Sequence, residues 1–98
     1  MRLKGKRIRT GVIEVRYLAS LLRHARVGVI VPKHSHSSVE RNLVKRRLRE
    51  LVRRELLPFL PSLDVVVRAA PSAYGASFDR LRDATRRVRE TLEVRETS

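Results

Sequence analysis

The chain has 98 residues, of which 23 are lysine or arginine and 10 are aspartate or glutamate, so its formal net charge is +13. This length fits a single domain over residues 1–98 with a modest core, and this charge indicates an anionic partner, above all a nucleic acid. The absence of cysteine excludes disulfides and cysteine-based zinc sites. The sequence contains neither a run of ~18 apolar residues nor a signal-peptide region, so we expect a cytoplasmic protein that does not bind membranes.

The N-terminal stretch is basic and is followed by a strand pattern. Residues 1–11 carry five basic side chains and no acid, and we expect residues 1–8 to form a mobile basic arm. Apolar and polar residues alternate from Val12 to Leu18, which predicts a strand with one buried face. The buried positions are Ile13, Val15 and Tyr17. Arg16 falls on the wetter face of this strand.

A second strand and a polar loop come next. Val27–Val31 is almost continuously apolar, which predicts a strand covered on both faces or nearly so. Pro32 ends this strand, and a polar loop runs from Lys33 to Ser38. The spacing of His34 and His36 in that loop suggests a metal site, but two histidines without a nearby cysteine or carboxylate are a poor ligand set. We therefore expect no metal there and interpret the histidines as solvent-facing, weakly cationic contacts.

The stretch from Ser37 to Leu57 has the clearest pattern in the chain. Its apolar residues recur at offsets of four, seven, eight and twelve, which gathers them into one helical stripe that must face a core. The stripe consists of Val44, Leu48, Leu51, Val52 and Leu56. Ser37 and Glu40 form a capping box at the start of the helix, and Pro58 and Pro61 forbid its continuation.

Six polar side chains adjoin the apolar stripe. At about 100° per residue they fall within an arc of roughly 140°. They are Arg41, Lys45, Arg49, Asn42, Arg53 and Arg46. A charged run is often only the solvated face of an amphipathic helix. Here, however, seven basic residues between Val39 and Leu57 meet only three acids, so pairing within the helix cannot neutralise them. The imbalance favours a surface for a phosphate backbone.

The remaining elements complete the predicted fold. Leu63–Ala69 has the pattern of a third strand, and Ser77 caps a last helix with an apolar seam. The seam consists of Phe78, Leu81, Thr85, Val88 and Leu92. We expect residues 93–98 to fray. The order strand, strand, helix, strand, helix predicts an α+β fold, a two-layer α-β sandwich with a small mixed sheet, a basic crossover helix and a C-terminal helix.

The few acidic residues argue against catalysis by the protein itself. A nuclease needs converging carboxylates for metal ions, or a nucleophile beside a base. Glu14 and Asp64 are lone carboxylates on predicted strands, and the serines near the histidines lack an acid to complete a triad. We therefore expect no catalytic residue and interpret the chain as a binding protein.

The run Arg41–Glu50, RNLVKRRLRE, resembles the Arg-Asn-x-(Ile/Val)-Lys-Arg-x-x-Arg signature of the bacterial ribonuclease P protein subunit. The motifs Arg26-Val27-Gly28 and Asp64-Val65-Val66-Val67 agree with that family in order and spacing. The resemblance implies an endonuclease holoenzyme that removes the 5′ leader from precursor tRNA. In it the ribonuclease P RNA performs the hydrolysis with Mg²⁺, and the protein alone binds no cofactor. The implied partners are that RNA and precursor tRNA, not DNA.

The resemblance also implies roles for individual side chains. Arg41, Arg46 and Arg49 would grip phosphates or base edges, Lys45 would act as a point charge, and Asn42 would reach a 2′-hydroxyl or a base. The candidate RNA-binding residues are completed by Arg53, Lys33, His34 and Arg16.

The contact with the leader is the least supported part of this expectation. At the register of Arg16 the family often has an aromatic that stacks on the leader, so Arg16 is either an RNA contact or an ordinary solvated charge. Family members also have an aromatic-bearing helix ahead of the first strand, and we expect this chain to lack it. The alternatives to the subunit hypothesis are a non-enzymatic basic RNA-binding or RNA-chaperone module and a DNA-binding helix.

Overall fold

The structure, a computed structural model, describes residues 5–33 and 36–97. Four strands and two helices follow one another in the order β1, β2, β3, α1, β4, α2. Their bounds are β1 Lys6–Arg9, β2 Ile13–Ala19, β3 Arg26–Ile30, α1 Ser38–Leu51, β4 Leu63–Ala69 and α2 Phe78–Thr97. β2, β3, β4 and both helices lie where the sequence predicts them, apart from shifts of a residue or two, an earlier end of α1 and a later end of α2.

The strands form one mixed sheet in the order β1-β2-β4-β3. β2 pairs antiparallel with β1 and with β4, whereas β3 pairs in parallel with β4. Because parallel neighbours need a crossover, the chain between β3 and β4 leaves the sheet, and this connection contains α1. The predicted α+β fold with a mixed sheet and a basic crossover helix is confirmed.

The core lies between one face of the sheet and the two helices. All five residues of the predicted α1 stripe are buried in it, together with alternate residues of β2 and β4. From α2 the core receives Leu81, Thr85, Val88 and Leu92, each at most 1% exposed. The prediction was wrong for Phe78, which is 38% exposed at the start of α2. The seam of α2 is therefore used within the chain, against the sheet and α1.

Two parts of the sheet differ from the prediction. Lys6–Arg9 overlaps the expected basic arm but forms β1, because it pairs with β2 and buries Ile8. The strand predicted at Val27–Val31 begins at Arg26 and is not covered on both faces, since β3 is an edge strand whose residues alternate between exposed and half-buried.

The chain termini extend the regular elements. α2 continues to Thr97, so residues 93–97 of the predicted tail are helical. Residues 1–4 and 98, to which the predicted mobility also applies, lie outside the described residues. That mobility stays a prediction.

The predicted basic helix changes its winding before it ends. After Leu51 the chain forms a π-helical turn, Val52–Leu56, in which the N–H of Leu57 bonds to the carbonyl of Val52. The wider turn leaves Val52 and Leu56 both buried and directs Glu55 at α2. Pro58 then lies in a short 3₁₀ turn that ends the helical segment.

Glu55 connects the π turn to α2. Its carboxylate accepts hydrogen bonds from Arg86 at 3.0 and 3.2 Å and from Arg89 at 3.4 Å. The bond from Arg86 holds the pKa of Glu55 below its ordinary value. Two of the α2 arginines are thereby committed to holding the two helical segments together.

Candidate nucleic-acid interface

The start of α1 is fixed by a capping box, as predicted. The Ser37 hydroxyl accepts a hydrogen bond from the Glu40 N–H, and the Glu40 carboxylate accepts one from the Ser37 N–H, both at 3.2 Å. His36 Nδ1 lies 2.9 Å from the same carboxylate. The hydrogen bond to His36, followed by those to Ser37, lowers the pKa of Glu40. The first turn of the helix is thus held in one conformation.

His36 has a structural role that the sequence did not suggest. Its ring stacks on Tyr74 with a centroid distance of 3.8 Å and an interplanar angle of 6°, and the Tyr74 hydroxyl donates a hydrogen bond to the carbonyl of Pro32. The interpretation of His36 as a solvent-facing contact was therefore wrong, because this stack joins the loop before α1 to the segment before α2. His34 lies outside the described residues, and Lys33 is exposed beside it.

A shallow groove of about 430 Å³ runs along the solvent side of α1. Its lining, which we call the α1 groove, consists of Asn42, Lys45, Arg46, Arg49, Glu50 and Arg53. Five of the nine candidate RNA-binding residues are therefore brought together on α1 and the π turn that follows it. Arg41, also assigned to this strip, is half-buried in the first turn and does not line the groove.

The charges of the α1 groove are only partly compensated. The Glu50 carboxylate lies 2.8 Å from the guanidinium nitrogens of both Arg53 and Arg54. Within residues 5–33 and 36–97, no carboxylate forms an ion pair with Lys45, Arg46 or Arg49. Four cations thus share this groove with one anion, and three of them are available to a polyanion.

Arg16 lies elsewhere, on the face of the sheet opposite the core. A second groove of about 330 Å³ opens there. We call it the open-face groove, and it is lined by Arg7, Arg9, Glu14, Arg16, Arg68, Ala69, Ala70 and Pro71. Arg7, Arg9 and Arg68 were not predicted as site residues. The placement of Arg7 and Arg9 on either side of Ile8 was the only sign that two of them share a face.

Glu14 is the carboxylate of the open-face groove. It lies 3.3 Å from Arg16, 3.4 Å from Arg9 and 3.9 Å from Arg7. Desolvation of this half-buried carboxyl opposes ionisation, but the hydrogen bond from Arg16 and the charges of Arg9 and Arg7 prevail and lower its pKa. One anion holds three guanidiniums together, so the face stays cationic.

Neither a metal-binding cluster nor a membrane-spanning helix occurs among the described residues. Among them there is no cluster of three or more His, Cys, Asp or Glu side chains that could hold a metal ion. Asp64, one of the few strand carboxylates, is engaged by Arg26 through two hydrogen bonds of 3.0 Å. None of the helices in this part of the chain has the length and hydropathy needed to cross a membrane.

Comparison with known proteins gives a consistent family. The family model described as Ribonuclease P matches residues 2–93. The ribonuclease P protein component of Thermus thermophilus is 39% identical over 89 residues, which are 90% of this chain and 52% of that protein. That of Pseudarthrobacter chlorophenolicus is 48% identical over 59 residues, 60% of this chain and 43% of its own. The chain spans about half the length of these relatives.

Solved structures show the same fold. The ribonuclease P protein of Staphylococcus aureus has a TM-score of 0.80 at 22% identity, covering 90% of this chain and 81% of its own. That of Thermotoga maritima has a TM-score of 0.80 at 21% identity, covering 92% and 86%. The family match extends over both grooves and every described element except the last turn of α2. The chain belongs to the ribonuclease P protein family.

Proposed function

We propose that this chain is the RNA-binding protein subunit of a ribonuclease P, which assists a catalytic RNA in removing the 5′ leader from precursor tRNA. The α1 groove is the observation that carries the proposal, because it presents three uncompensated cations and an amide on a helix fixed by the core. The relatives are ribonuclease P protein components, which supports the choice of the RNA partner.

The α1 groove suits a folded RNA for physical reasons. Arg46 and Arg49 are three residues apart, so their planar guanidiniums project from neighbouring turns and can grip phosphate oxygens bidentately. Lys45 adds a compact charge, and Asn42 can donate to or accept from a 2′-hydroxyl. The groove would thus screen crowded phosphates of the ribonuclease P RNA and help the substrate settle.

Hydrolysis itself is assigned to the RNA. In this proposal Mg²⁺ bound with the RNA subunit supplies the metal-assisted chemistry, and the protein acts only through charge and positioning. Arg16 would contact the leader of the precursor tRNA, together with Arg7, Arg9 and Arg68 in the open-face groove. We propose a cytoplasmic location, where precursor tRNA is made.

Reconstitution tests the proposal. The protein is added to a bacterial ribonuclease P RNA at low Mg²⁺, and cleavage of precursor tRNA is followed. We expect strong stimulation by the wild type and loss of most of it in Arg46→Ala/Arg49→Ala. Lys6→Ala/Arg23→Ala, which removes two exposed charges outside both grooves, should retain it. Absence of stimulation by the wild type, or full stimulation by the groove variant, would contradict the proposal.

Two further measurements separate the alternatives. Affinity for folded RNA should exceed affinity for duplex DNA at matched salt, and log K for RNA should fall by about 0.7 to 0.9 per neutralised phosphate for each unit of log salt. Equal affinity for DNA would favour the DNA-binding hypothesis. Annealing of unrelated RNAs without any effect on cleavage would favour a chaperone.

A further inference from the structure

The surface of α2 contains two arginines that the fold does not use. Arg86 and Arg89 bind Glu55, and Arg82 lies 3.4 Å from Asp79 and 3.7 Å from Asp83. For Arg80 and Arg87, by contrast, no carboxylate partner exists anywhere in residues 5–33 and 36–97. Two exposed guanidiniums are therefore left without an internal role.

These two side chains share one groove. Arg80 and Arg87 are separated by two turns, so they lie on one face of the helix about 10.5 Å apart along its axis. With the β1–β2 turn they enclose a groove of about 380 Å³. This α2 groove is lined by Thr10, Gly11, Val12, Arg80, Asp83, Ala84 and Arg87. Ala84 lies between the two arginines on the helix, and its small side chain leaves the groove open.

The β1–β2 turn forms a firm wall of the α2 groove. The Thr10 N–H donates to the Ile13 carbonyl at 2.9 Å, and the Ile13 N–H donates to the Thr10 hydroxyl at 3.3 Å. A Cβ added to Gly11 would lie 3.9 Å from a terminal nitrogen of Arg80, so this guanidinium lies close to the β1–β2 turn. Arg80 is thus exposed to solvent beside a closed turn.

The α2 groove adjoins the open-face groove. The Ala70 N–H donates to the Val12 carbonyl at 2.9 Å, and the Ser72 hydroxyl donates to the Gly11 carbonyl at 2.6 Å. Ala70 lines the open-face groove and Val12 lines the α2 groove, so the two meet at this junction. A cationic surface therefore continues from the sheet around the β1–β2 turn to α2.

We infer that the α2 groove binds the phosphodiester backbone of single-stranded RNA that runs off the open face of the sheet. Guanidiniums match phosphate oxygens in a bidentate geometry, and a cationic surface on a chain of net charge +13 favours an anionic partner. Asp83 also lines this groove, and its carboxylate lies 3.7 Å from Arg82. Identification of the strand as the 5′ leader rests on the proposed function; the binding of single-stranded RNA does not.

Binding of single-stranded RNA oligonucleotides to the protein alone tests the inference. Fluorescence anisotropy should show that Arg80→Ala/Arg87→Ala binds a long oligonucleotide about tenfold more weakly, with the slope of log K against log salt smaller by roughly 1.4 for two phosphates. Lys6→Ala/Arg23→Ala is the matched control, because both residues lie at the opposite end of the sheet and carry the same charge. Asp83→Asn should strengthen binding.

Several outcomes would overturn the inference. They are failure of the wild type to bind the oligonucleotide at low salt, a double variant that binds like the wild type, and a double variant no weaker than the control. Since all four side chains are exposed, the thermal unfolding temperature should stay unchanged and exclude a folding defect.

The holoenzyme then identifies the source of the RNA. The affinity of the holoenzyme is measured for precursor tRNAs whose leaders are lengthened nucleotide by nucleotide. With Arg80→Ala/Arg87→Ala the affinity should stop rising at a certain leader length. With the wild type it should continue to rise beyond that length. A loss that is equal for every leader, including a leaderless tRNA, would overturn the assignment to the leader. If the wild type failed to stimulate cleavage at all, the proposed function would fail, while the oligonucleotide assay would still decide on the groove.

Discussion

Replacing Glu50 with glutamine should strengthen RNA binding. Glu50 is the only carboxylate in the lining of the α1 groove, and its side chain is 39% exposed while it engages Arg53 and Arg54. A phosphate that enters the groove meets the repulsion of this anion and competes with it for Arg53. Glutamine removes the charge but keeps the length of the side chain. The repulsion of the phosphate and the competition for Arg53 should therefore both weaken.

The magnitude follows from the geometry. A phosphate charge about 7 Å from the Glu50 carboxylate is repelled by about 0.6 kcal/mol in a water-like dielectric. This corresponds to about a threefold gain in affinity at low salt, falling as the Debye length shrinks. The variant also loses two exposed ion pairs worth roughly 0.3–0.5 kcal/mol each. The free energy of unfolding should therefore fall by at most about 1 kcal/mol, and α1 should persist.

Fluorescence anisotropy with a folded ribonuclease P RNA, measured over a salt series, provides the assay. Glu90→Gln is the control, because Glu90 is an exposed carboxylate on α2 outside all three grooves. It changes the net charge identically. Glu50→Gln should bind about threefold more tightly than Glu90→Gln. Equal affinities of the two variants, or weaker binding by Glu50→Gln, would show that the α1 groove does not contact phosphates.

Three predictions concern folding. Leu48 is 0% exposed, so Leu48→Ala should lower the free energy of unfolding in urea by about 2–5 kcal/mol; a loss below about 1 kcal/mol would contradict its central position. Ser37→Ala removes the cap of α1 and should cost about 1 kcal/mol in the same assay, whereas the exposed Ser62 changed to alanine should cost little. The pKa of Glu40 lies below the ordinary 4.5 because of His36 and Ser37. The ionised Glu40 therefore stabilises the folded state fully above pH 4.5, the ordinary pKa. This stabilisation is lost as the pH falls through the lowered pKa of the folded protein. Glu40→Gln should make the unfolding temperature less sensitive to acid, and an unchanged pH profile would refute this.

The features predicted correctly from the sequence depend on local chemistry. The capping box requires only Ser37 and Glu40 three residues apart, and the α1 stripe requires only a helical period. The same period places Asn42, Lys45, Arg46, Arg49 and Arg53 beside that stripe, and the structure brings these five into one groove. Their role in binding RNA stays a prediction.

Features that depend on distant partners were missed. β1 has four residues and one buried side chain, so only its pairing with β2 reveals it. The exposure of β3 follows from its position at the edge of the sheet, which the apolar run at Val27–Val31 cannot show. Arg41 belongs to the helical strip by angle, yet the fold leaves it half-buried outside the α1 groove.

The sequence by itself determined the helices, their buried faces and the excess of positive charge. It could not show which of the positive charges form ion pairs within the folded chain. Arg86 and Arg89 differ from Arg80 and Arg87 only in what lies opposite them, because the π turn brings Glu55 to the first pair and the second pair faces the β1–β2 turn. Pairing between charges requires contact within a few ångströms. Only the tertiary structure decides which residues come that close.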